Sequence, residues 1–137
     1  MTAKEYLEQI YTLEIKIRKK QEKAQRIKEN LVAGGISYEN IGDARPHNCD
    51  DVIGKALCEV VDYLQEIKED TATLVVLRIT ADKAIQQLQN EKERFVLERH
   101  YLFYEEIEKI GMLMRVSKRT AYYYHSNGLK HIILPLH

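Results

Sequence analysis

Apolar residues recur every seven positions along two long stretches of the chain, and after the second the rhythm stops. Between Thr2 and about Leu31 the row Ile10, Ile17, Ala24 and Leu31 keeps the interval. Tyr6, Leu13 and Ile27 take the adjoining positions, and only Lys20 interrupts that second row. Two apolar rows with a seven-residue repeat predict a heptad-type helix that needs a partner along its length. Val32 to Asp51 breaks the pattern with Gly34, Gly35, Gly42 and Pro46 and reads as a loop. Asn48 to Asp51 offers caps for a second helix, whose row Ile53, Val60, Ile67, Leu74, Ala81 and Leu88 has no gap and is widened by Leu57, Leu64 and Ile85. DTAT at Asp70 to Thr73 lowers helix propensity, so a split there is an alternative, but the register survives across it and favours one helix. That helix would have about 37 residues and a length of roughly 55 Å. The pair predicts an antiparallel hairpin, closed within the chain or shared in a dimer, and the greater length of the second helix favours the dimer.

Beyond residue 90 the apolar spacing fits short helices packed at steep angles. Asn90 followed by Glu93 reads as a capping box opening the helix ERFVLERHYL, with Phe95, Val96, Leu97, Tyr101 and Leu102 as its apolar residues. The expected organisation is a long-helix oligomerisation hairpin over 1–90, with a loop at 32–51, and a small helical domain over 91–137. The fold class is all-α.

The segment IEKIGMLMRVSKRTAYYYHSNGL, from Ile107, reads as two helices joined by a tight turn. Ile110 and Met114 face inward, and Gly111 between them lets a second helix cross closely. Arg115 and Val116 form the turn, Ser117 caps the next helix, and Ala121 and Tyr124 continue the inward row from Val116. Small, apolar and small at Gly111, Val116 and Ala121 is helix-turn-helix spacing. Lys118, Arg119, Tyr122, Tyr123 and then Ser126 project outward in this register. The tyrosine triplet is thus divided between two faces. A cationic, aromatic ridge suits phosphates and base edges of a DNA major groove, so Arg115, Ser117, Lys118, Arg119, Tyr122, Tyr123 and Ser126 are the candidate DNA-binding residues. The alternative is a solvated basic helix whose tyrosines pack elsewhere on the chain. Arg115 stands where glycine is usual, because the backbone there tends toward positive φ at a cost of roughly 1 kcal/mol.

Charge adds direction to this picture. The formal net charge of the 137 residues is zero, yet Tyr38 to Asp70 is acidic and no acidic residue follows Glu108, so partners of the C-terminal end should be anionic. Neither a signal-peptide layout nor an apolar run of about 18 residues is present, which predicts a cytoplasmic protein with no membrane partner. In that compartment Cys49 and Cys58 are expected to be free thiols. His47 with these cysteines lacks a fourth ligand and a recognised spacing, so neither metal nor cofactor is expected. Phosphate-loop, HExxH and nucleophile motifs are missing, and Glu105 and Glu106 point apart on a helix; an enzyme is not expected.

KERFVLERHY through SKRTAYYYHSNGL resembles the region-4-like helix-turn-helix of bacterial sigma factors, and more closely the phage and prophage transcription regulators of the ArpU and RinA type. The resemblance also takes in MTAKEYLEQI, the charged helix after it, a variable loop and the long helix leading into ERFVLERHY. SxRTAxxx and ERxxLExxY are its most specific parts. It implies a regulator that binds double-stranded DNA near phage late promoters and activates transcription through contact with RNA polymerase. Its recognition helix would run from Ser117 to about Lys130, with Lys118, Arg119, Tyr122 and Tyr123 facing DNA. Arg115 departs from the sigma-like turn, and HIILPLH leaves no C-terminal extension to assume. One recognition helix of a neutral chain offers few cations, so tight binding calls for a homodimer joined through the long helices, or for polymerase. A small terminase subunit recognising packaging DNA, or a coiled-coil adaptor that uses Tyr122 and Tyr123 as anchors, are the competing readings.

Overall fold

The computed structural model describes residues 1–34 and 52–136. Among them are five α-helices and no strand: α1 (Ala3–Ala33), α2 (Val52–Gln86), α3 (Glu91–Leu97), α4 (Ile107–Met114) and α5 (Lys118–His131). Of the expected loop at 32–51, Val32 and Ala33 instead continue α1, and residues 35–51, with the caps Asn48 to Asp51, His47 and Cys49, lie outside the described residues.

Thr2 and Glu5 start α1 with a reciprocal capping box: Glu5 N donates to Thr2 Oγ1 at 3.2 Å and Thr2 N to Glu5 Oε2 at 3.4 Å. The first heptad row behaves as its spacing predicts, with Ile10, Ile17, Ala24 and Leu31 all buried. On α2, Val60 and Ala81 are buried, Ile67 and Leu74 half-buried, and Ile53 exposed. The helix runs unbroken through Asp70 to Thr73, where the Thr73 hydroxyl donates to Glu69 O at 3.2 Å within the helix. Leu88, the last residue of the predicted row, is buried just past the end of α2. α1 has 31 residues and α2 has 35, so the length mismatch that favoured a dimer is small.

The chain forms two compact units, one of Met1–Leu13 with Leu74–His137 and one of Glu14–Thr73. Periodicity changes at residue 90, but compactness does not follow it. In the Glu14–Thr73 unit, Lys20 interrupts the apolar row for a reason: its ammonium lies 2.7 Å from Asp70 Oδ2 and 3.3 Å from Glu66 Oε2. The Asp70 hydrogen bond leads the interactions that hold its pKa above the ordinary lysine value. Cys58 in this unit is buried and disulfide-bonded, which corrects the free-thiol expectation.

In the other unit Leu7 and Ile10 from α1, Ala81 and Ile85 from α2, Leu88, Leu97, Tyr101, Leu102 and Ile132 form a buried core cluster. Leu7 was not marked by the heptad reading. It is fully buried because this end of α1 presents Tyr6, Leu7 and Ile10 together, a broader stripe than the two heptad rows allow. α3 opens as expected at Asn90, whose side chain accepts from Lys92 N at 2.9 Å and Glu93 N at 3.4 Å. Glu93 does not complete the expected capping box. It is buried, and its carboxylate oxygens lie 3.1 and 3.2 Å from His131 Nδ1 on α5. α3 continues directly into a π-helical turn, Glu98–Leu102, which Arg78 closes by donating to Leu102 O at 3.0 Å and Tyr104 Oη at 2.9 Å.

Candidate nucleic-acid interface

α4 ends because Arg115 leaves the helix in the left-handed conformation, φ 58° and ψ 40°. Val116 N then donates to Gly111 O at 2.9 Å and Arg115 N to Met112 O at 3.2 Å, the paired bonds of a Schellman ending. Arg115 adopts the positive φ expected of this turn, in a position where most chains place glycine. Ser117, with extended backbone, caps α5 by accepting from Thr120 N at 3.1 Å. Its hydroxyl also lies 2.8 Å from Thr120 Oγ1, so the group proposed to meet DNA is first of all a cap.

Across this turn the helices touch where the side chains are smallest. A Cβ placed on Gly111 would lie 3.1 Å from Ala121 Cβ, and both residues are buried. Val116 and Tyr124 are half-buried, with Lys92 of α3 5.6 Å from the centre of the Tyr124 ring. The inner row of α5 continues past what the sequence reading marked, through His125 and Gly128, both buried. These are the i+4 and i+7 partners of Ala121, a spacing already present in the sequence. His125 Nε2 lies 2.7 Å from the Tyr101 hydroxyl. Burial pushes the His125 pKa down to about 4, with His100 and Lys4 adding to it, and pushes Tyr101 well above the ordinary tyrosine range. Tyr101 is therefore the donor and His125 a neutral acceptor. At Gly128 an added Cβ would come within 2.9 Å of Leu97 Cδ1, which makes this glycine the crossing point of α3 and α5.

With that face turned inward, Arg115, Ser117, Lys118, Arg119, Tyr122, Tyr123 and Ser126 are all exposed. Tyr123 is 63% exposed and Tyr122 43%, so the triplet is shared between an outward pair and the half-buried Tyr124. Arg115 and Arg119 have no ion pair among the described residues. Lys118 does: its ammonium lies 2.9 Å from Glu108 Oε1 on α4, and that hydrogen bond raises its pKa. The ridge is therefore not free of carboxylates, as the α5 sequence alone had implied. Glu108 precedes the turn and reaches back across it. Both side chains are well exposed, so a phosphate can compete for the lysine.

No grouping of metal-ligating side chains occurs among the described residues. Among them, no helix is long and apolar enough to cross a membrane. No protein-family model, curated protein or solved structure matches the chain.

Proposed function

We propose that the chain is a DNA-binding transcription regulator in which α4, the Arg115–Ser117 turn and α5 act as a helix-turn-helix, with α5 entering the major groove of double-stranded DNA. One observation carries the reading. The close Gly111–Ala121 contact turns Arg119, Tyr122, Tyr123 and Ser126 away from the core on a helix that has no acidic residue. A guanidinium, two phenols and a hydroxyl on one exposed helical face match the donors and acceptors of base edges, while Lys118 and Arg115 suit phosphates. Arginine in place of glycine at this left-handed position adds a cation beside the ridge. The sequence resemblance extends the proposal to activation of phage late genes by a homodimer in contact with RNA polymerase.

The test begins with a duplex selected from a random pool by the wild-type protein, titrated at two salt concentrations. Binding should weaken with salt. Arg119→Ala should cost roughly 1 to 3 kcal/mol at the selected site, and Lys118→Ala should reduce the salt slope by about one unit. No salt-dependent binding by the wild type would overturn the assignment, and ring-sized assemblies on the selected duplex would favour the terminase alternative.

A further inference from the structure

α2 is apolar on two sides over ATLVVLRITA, Ala72 to Ala81. Leu74, Leu77 and Ala81 face the core, yet Val75, Val76 and Ile79 are 47%, 62% and 51% exposed. Ile79 is two positions from Ala81, which places it about 160° round the helix from the buried row. Ala72, also exposed, completes the i, i+3, i+4, i+7 pattern with Val75, Val76 and Ile79. A helix apolar on both sides normally has both covered.

We propose that this outward stripe is the interface with a second copy of the chain, the two α2 helices packing antiparallel about a twofold axis at Val76. The charges at its ends select this occupant. Glu69 lies seven residues before Val76 and Lys83 seven after, both exposed and both on the stripe's side of the helix. An antiparallel pairing centred on Val76 sets Glu69 of each copy opposite Lys83 of the other, forming two ion pairs by symmetry, while Ile79 meets Ala72 and Val75 of the second copy. Along one helix these two residues are about 21 Å apart, too far to pair within a chain. A self-complementary surface of this kind is what an isologous dimer requires. The Glu69 carboxylate accepts from Gln65 Nε2 at 3.1 Å, an exposed contact that the lysine can replace. The stripe covers only about two turns, so the dimer should dissociate on dilution.

The inference specifies the homodimer within the function proposed above, and its test uses no DNA, so it can fail while the DNA-binding reading stands. Mass is measured by sedimentation over a concentration series. The wild type should pass from monomer to dimer. Glu69→Lys should weaken association about tenfold, Lys83→Glu should do the same, and the double exchange Glu69→Lys with Lys83→Glu should restore it. Circular dichroism confirms that each variant keeps its helices. A wild type that stays monomeric throughout, or a dimer that ignores both single exchanges, overturns the proposal, as does a double exchange that fails to restore association.

Discussion

Arg115 and His125 carry the clearest consequences of single side chains. A non-glycine residue at φ 58° is strained, so Arg115→Gly should raise stability by about 1 kcal/mol in urea unfolding while weakening DNA binding. Opposite changes in the two measurements would separate the conformational role of this position from its chemical one. His125 predicts a pH dependence. Its native pKa of about 4 lies below the ordinary 6.5, so the unfolded chain takes up the proton first. The stabilisation from keeping the imidazole neutral is complete above pH 6.5 and is lost as pH falls through 4. Replacing both partners, Tyr101→Phe with His125→Phe, should flatten that part of the stability curve at small cost at pH 7, because no buried polar group is left unpaired. The sequence placed Arg115 in its turn correctly, since turn chemistry is local. Helical spacing from Ala121 turned His125 inward, but not toward Tyr101, a partner 24 residues away.

Among the elements, α5 depends on two glycine-like contacts of different kinds. Gly111 against Ala121 was legible, because both fall at fixed offsets from a turn that the sequence itself displays. Gly128 was not, because its need arises from Leu97 on another helix. Leu97 is fully buried and cannot move aside, so Gly128→Ala should destabilise the fold by roughly 1 to 3 kcal/mol in thermal melts, despite alanine's better helix propensity. The π-helical turn at Glu98–Leu102 was invisible for a similar reason. ERHYL has ordinary helical propensity, and what closes the segment is Arg78, an α2 side chain bonded to Leu102 O and Tyr104. Lys20 shows the converse. A charge in an apolar row looked like a defect until Asp70 and Glu66 were seen beside it.

For the molecule as a whole, the proposed dimer and the proposed DNA contact can be measured together. If two copies each neutralise phosphates, the slope of log affinity against log salt for dimeric wild type should be about twice that of the Glu69→Lys variant at concentrations where sedimentation shows the variant to be monomeric. The heptads, the break at residue 90 and the Arg115 turn were written in the sequence alone, because each depends on spacing along a helix or on the conformations open to one residue. Tertiary structure decided that Met1–Leu13 shares a unit with Leu74–His137, that Glu108 reaches Lys118, and that Val75, Val76 and Ile79 stay outside. Those are facts about which surfaces meet across long separations in the chain. A pattern of apolar positions shows how many faces want covering, and only packing assigns each face its neighbour.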